Sequence, residues 1–132
     1  MLRVSKRLEV GRTPRGLRGV WHRLAVAAGR GLRSPWNRVL SVAFLVGQVC
    51  DVFTTHVALA SGRFQEANPV FAPALASNQG VALLVKFCLA CLVLLAALTK
   101  LTGPRRMVVL GVLAFISLEA PVTNALRIAG VL

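Results

Sequence analysis

Three apolar runs dominate this chain, at residues 39–60, 81–101 and 107–132, with 22, 21 and 26 residues. About 20 consecutive apolar residues cross the hydrocarbon core of a bilayer as a helix, so each run predicts a membrane span. The expected fold class is therefore all-α and integral to a membrane. A basic segment at 1–38 precedes a three-helix domain at 39–132, with helices at 39–60, 81–101 and 107–130 and an outer loop at 61–80.

Each run carries a charge: Asp51, Lys86 and Glu119. In the second, twelve Leu, Val and Phe residues at roughly −0.5 kcal/mol each outweigh roughly +3 kcal/mol for Lys86. The first sets eleven such residues against Asp51, Gln48 and His56, so its insertion is closer to balanced and gains from neighbouring helices.

Composition agrees: 56% of the 132 residues are hydrophobic, 15% are charged, and the mean hydropathy is +0.70. That is too apolar for a soluble domain of this size. The net charge of +12 is concentrated, with ten Lys/Arg and one acid in residues 1–38. No aromatic interleaving accompanies it and an apolar run follows directly. Membrane lipid, anionic at the basic N-terminus, is thus the expected partner rather than nucleic acid.

Residues 100–106 are also basic, whereas 61–80 hold one Arg and one Glu. By the positive-inside rule the N-terminus and second connector are cytoplasmic, and the C-terminus and outer loop lie across a cell (inner) membrane. Ala58-Leu59-Ala60 resembles a signal-peptide cleavage site, but the apolar region before it is too long and holds Asp51, Thr54, Thr55 and His56. An Arg-rich organelle transit peptide stays open as a reading of the N-terminus.

Within the basic segment, Leu17, Val20, Trp21, Leu24 and Ala28 recur at helical spacing, which predicts a basic helix on the headgroups with Trp21 at the interface. Gly16, Gly19, Gly29 and Gly31 weaken it, and a disordered basic tail is the alternative.

Depth relates the three buried charges. At about 1.5 Å per residue, Asp51 and Glu119 lie roughly 18 Å from the cytoplasmic ends of their runs and Lys86 roughly 22 Å. This predicts an acid–lysine–acid cluster in the outer half of the membrane, in which one acid carries a proton or finds another donor. Gln48, Asp51 and Thr55 share a helix face with Thr54 beside it, while Glu119 and Thr123 form an i,i+4 pair near Asn124 and Arg127. Pro121 cannot donate to the Ser117 carbonyl and is expected to kink its helix. The same polar groups would also serve simply to fasten the helices together.

In the outer loop, Asn68-Pro69 predicts an N-cap and first-turn pair, with a short turn through Phe71 and Ala72 that Pro73 interrupts. Phe64, Val70, Phe71 and Leu75 would let it lie as an interfacial lid with Glu66 turned inward; a solvated connector is the plain alternative.

Asp51, Thr54 and Thr55, then Glu66-Ala67-Asn68-Pro69, Lys86 and Asn124 together resemble a family of small bacterial and archaeal integral membrane proteins known only as a domain of unknown function. The resemblance covers roughly residues 40–130. It implies a compact helical membrane domain and supplies no activity.

Other patterns carry less. Cys88 and Cys91 are formally C-x-x-C but lie mid-run without a second ligand pair, so packing is their expected role. No cofactor motif is present: there is no P-loop, dinucleotide fingerprint or serine-nucleophile elbow. Ala43 and Gly47 would allow close packing of helices or a homo-oligomer. The positions of interest are Asp51, Thr55, Glu66, Asn68, Lys86, Glu119 and Asn124. Three functions fit them: a membrane subunit whose charges fix packing or meet a membrane-protein partner, a module that binds or moves protons, ions or a small polar solute, or a small enzyme on lipid or isoprenoid headgroups. In the last, Glu66 or Asp51 would be the base and Lys86 or Arg127 the phosphate contact. The enzyme is the least favoured, because three helices enclose little volume.

Overall fold

A computed structural model describes residues 17–62, 69–70 and 72–131. It is all-helical over these residues: α1 (Leu17–Gly31), α2 (Pro35–Ala60), α3 (Ala72–Lys100) and α4 (Gly103–Ile128). The last three are long and apolar enough to cross a membrane.

Local chemistry sets the helix ends. Pro35 opens α2 and Pro104 lies in the first turn of α4, positions where a missing N–H is harmless. Gly62 closes α2 in the left-handed conformation at φ 67, donating to the Leu59 carbonyl. Asn78 interrupts α3 with extended φ/ψ, and its Oδ1 accepts from the Val81 N–H at 3.1 Å. That is N-cap geometry, so the long span of α3 starts anew after Asn78 and residues 72–77 form a separate opening turn.

Two expectations for the outer loop change as a result. Residues 72–80 belong to α3, and Pro73 lies at its start instead of interrupting a turn, because a first-turn proline needs no hydrogen-bond partner. Leu75 is buried with Ala82 and Leu83 against Val52 and Leu59, so it belongs to the core and not to a lid. Glu66, Asn68, Phe64 and Phe71 lie outside the described residues.

The core is the seam between α2 and α4. Ser117 donates to the Phe44 carbonyl and Asn124 to the Asp51 carboxylate, both across a sequence offset of 73. A constant offset two helical turns apart means that the helices run parallel and in register. Buried positions 110, 114, 117 and 121 of α4, continued by the half-buried Asn124, repeat at alternating spacings of four and three, and 37, 41, 44, 47, 51 and 55 of α2 likewise lie three or four residues apart. This is the pattern of left-handed packing at small crossing angles.

Polarity along α2 is inverted relative to a soluble helix. Asn37, Ser41, Asp51 and Thr55 are buried, whereas Val39, Val42, Val46, Val49 and Phe53 are exposed. In lipid an outward apolar face is solvated by acyl chains, and small or polar residues hold the helices together.

Closest approach falls at Gly47. A Cβ there would lie 2.5 Å from Ser117 Oγ and 2.6 Å from the Ser117 carbonyl oxygen. That carbonyl is the one Pro121 deprives of its i+4 donor, and facing the bare Cα of Gly47 it is in position for a weak Cα–H···O contact. Pro121 is buried and does not interrupt α4, which runs as one helix to Ile128.

α3 runs antiparallel beside this pair. Leu94, Ala97 and Leu98 join Phe44, Leu110 and Ala114 in an apolar cluster near the α1 end. α1 is a helix through its full apolar repeat and packs on α3 at Gly31, where a Cβ would lie 2.7 Å from the Leu98 carbonyl oxygen. The buried Asn37 amide donates to the Gly31 carbonyl at 2.7 Å, fixing the end of α1 to α2. Trp21 is exposed.

Replacing Gly47 by Val should destabilise the fold by about 1–3 kcal/mol through overpacking against Ser117. Gly111→Ala, where nothing lies within 4 Å of the added carbon, should leave stability unchanged or raise it by up to about 1 kcal/mol through helix propensity. Unfolding of both variants in detergent micelles checks the contrast.

Candidate functional site

Two turns beyond the Phe44–Ser117 contact, the α2–α4 seam becomes fully polar. Asp51 is 5% exposed, and such a carboxylate in a low-dielectric setting needs a counter-charge and donors. α3 supplies the charge: Lys86 Nζ lies 2.7 Å from Asp51 Oδ2, with the lysine side chain 27% exposed. The other oxygen, Oδ1, accepts from Thr55 Oγ1 at 3.4 Å and Asn124 Nδ2 at 3.3 Å.

Asn124 ties the layer together. Its Nδ2 also lies 3.4 Å from Thr54 Oγ1 and 3.3 Å from Thr55 Oγ1, so one amide spans three acceptors on α2. Thr54 in turn donates to the Cys50 carbonyl at 2.9 Å. One turn toward the α1 end, Gln48 Nε2 donates to Ser117 Oγ at 3.0 Å, which itself donates to the Phe44 carbonyl at 2.8 Å.

Of the two acids expected around Lys86, only Asp51 pairs with it. Among the described residues the one ion pair is Lys86–Asp51. Glu119 accepts instead from Thr123 Oγ1 at 2.9 Å, the i,i+4 neighbour on its own helix, and is exposed. The local bond needs no rearrangement of helices, whereas reaching Glu119 would draw Lys86 away from a buried carboxylate that has no other cation.

Glu119 nonetheless lines the same space. A cavity of about 380 Å³ between α2, α3 and α4 is bordered by Asp51, Thr55, Lys86, Glu119, Asn124 and Arg127, with Gln48, Ser117 and Thr123 completing its polar wall. Two acids and two bases thus face one volume. Of the positions singled out in sequence, the structure brings Asp51, Thr55, Lys86, Glu119 and Asn124 to this cavity, while Glu66 and Asn68 lie outside the described residues.

No local sequence signal marks Ser117 as part of this wall. A serine in an apolar run has little signal of its own; its register with Leu110, Ala114 and Asn124 is what marks it. His56 is exposed, and its backbone carbonyl accepts from Gln79 Nε2 at 3.4 Å. Cys50 and Cys88 are exposed and Cys91 is half-buried, all as free thiols. Among the described residues no three His, Cys, Asp or Glu side chains converge as a metal site.

Asp51→Leu or Lys86→Met alone leaves a charge without its partner in the membrane, and each should lower stability by about 3 kcal/mol. The double variant should lose less than the sum of the two. Reversible unfolding of the four proteins of this cycle in one detergent measures the coupling.

No curated protein and no solved structure matches the chain. Residues 42–126, a span holding Asp51, Lys86, Glu119 and Asn124, match the family described as Domain of unknown function (DUF5658), and the chain belongs to that family.

Proposed function

We propose that this protein is a membrane-embedded binding module whose inter-helix cavity accepts a proton, an ion or a small polar solute. The observation that carries this reading is the lining of the cavity: an ion pair, Asp51–Lys86, beside Glu119 and Arg127, around about 380 Å³ of space. Groups serving only to fasten helices would be consumed by mutual contacts. Here charge of both signs faces an open volume, and intramembrane ionisable residues characteristically mark binding sites or relays.

Asp51 is the anchor in this reading. A cation or proton arriving at its carboxylate competes with Lys86 and releases the lysine toward the cavity. Glu119 is the second acceptor, with Thr55, Thr123 and Asn124 as neutral ligands. Glu66 and Asn68 join the functional set through the family resemblance. The N-terminus and the α3–α4 connector face the cytoplasm and the C-terminus the opposite side of a cell membrane, on the support of the ten Lys/Arg in residues 1–38.

Reconstituted in vesicles with an entrapped pH dye, the wild type should give proton or solute-coupled flux that Asp51→Asn abolishes. Glu119→Gln, which removes an exposed group and leaves the buried ion pair intact, should lower the flux severalfold without changing stability. Vesicles with wild-type protein no more permeable than protein-free ones, across protons, alkali cations and amino acids, would rule the reading out.

A further inference from the structure

At the opposite end from this cavity, we infer a second site: a phosphate-binding pocket built by the end of α1 and the starts of α2 and α4, set at the depth of lipid headgroups. It stands independently of the Asp51 cavity. A cavity of about 420 Å³ lies there, lined by Arg30, Arg33, Ser34, Asn37, Pro104 and Arg106 among others. Three arginines from three separate segments therefore border one volume.

No acid in the described residues answers them. Asp51 and Glu119 each lie sixteen residues into their helices, roughly 24 Å along the axis. Neither α2 nor α4 has an acidic residue in its first turn, and neither N-cap, Ser34 or Thr102, makes a side-chain capping bond. Two helix starts thus add their partial positive charge to the arginines.

Arg106 is partly committed. Its Nε donates to the Leu101 carbonyl at 2.8 Å, and Nη2 contacts the same oxygen, which fixes the guanidinium plane and leaves the remaining N–H groups available. A planar fork held in this way suits the oxygens of a phosphate, which take paired N–H donors.

Depth favours a lipid as the source. α2 and α4 are long and apolar enough to cross a membrane, so their starts lie at its surface. Trp36, the sequence neighbour of the pocket residue Asn37, is exposed, and tryptophan is enriched at the headgroup level. Basic pockets between spanning helices bind anionic headgroups, so a phosphodiester of an anionic phospholipid is the expected occupant, with soluble phosphate sharing the chemistry.

The test uses delipidated full-length protein in a neutral detergent, titrated with phosphatidylglycerol, phosphatidylcholine, glycerol phosphate or inorganic phosphate while the melting temperature is followed. Phosphatidylglycerol should raise it saturably. The half-saturating concentration should rise at least about tenfold in Arg30→Gln and in Arg33→Gln, each of which removes charge-assisted bonds. Arg38→Gln, which removes an exposed charge outside the pocket, should leave it unchanged. Native mass spectrometry should show retained lipid in the wild type and its loss in the two pocket variants. Saturation by glycerol phosphate or inorganic phosphate alone, with the same dependence on Arg30 and Arg33, would keep the site and assign it a soluble ligand. Equal loss in Arg38→Gln, or no saturation by any phosphate, would overturn the inference.

Discussion

The contact of Gly47 with Ser117 fixes how near α2 and α4 can come, and the rest of the bundle is arranged around that distance. Because Gly47 has no side chain, the Ser117 hydroxyl and carbonyl sit directly on the backbone of α2. The two helices then stay in register for two further turns, which brings Asn124 within reach of Asp51, Thr54 and Thr55. A wider separation would leave the Asp51 carboxylate without an amide donor from α4.

Charge and packing divide the molecule into layers. An apolar cluster around Phe44, Leu98 and Leu110 stands near the α1 end. Beyond it comes the polar layer, and on the α2–α3 flank a smaller apolar group around Leu75, Ala82 and Leu83. α3 touches the α2–α4 pair more sparingly than those two touch each other, so the Lys86–Asp51 pair is a main polar tie between α3 and the seam. That tie also borders the cavity, so the cavity wall and the attachment of α3 share one ion pair.

Run length made the three spans legible, since stretches of about twenty mostly apolar residues match the thickness of a bilayer core even with an occasional charge. The meeting of Asp51 with Lys86 was legible from depth, because both residues sit at a comparable height in antiparallel helices. Depth could not decide the fate of Glu119: it gives height along a helix and says little about azimuth, and Thr123, one turn away, satisfies the carboxylate locally. The opening of α3 was obscured for another reason. Pro73 reads as a breaker when its neighbours are unknown, yet it is harmless in a first turn, and Asn78 as an N-cap is recognisable only once the helix on either side of it is seen. The convergence of Arg30, Arg33 and Arg106 depends on α4 returning to the start of α2, a fact of tertiary arrangement that no local pattern contains.

The parallel pairing of α2 with α4 also constrains the order in which the molecule can be assembled. Partners in the seam lie 69 to 73 residues apart, so α2 emerges from synthesis well before the helix that satisfies it. During that interval Gln48, Asp51, Thr54 and Thr55 are carried on the least apolar side of an early helix, with Lys86 arriving first and Asn124 and Ser117 last. The nascent protein therefore passes through a stage in which this polar face lacks its α4 partners, and it is closed only once α4 has been made.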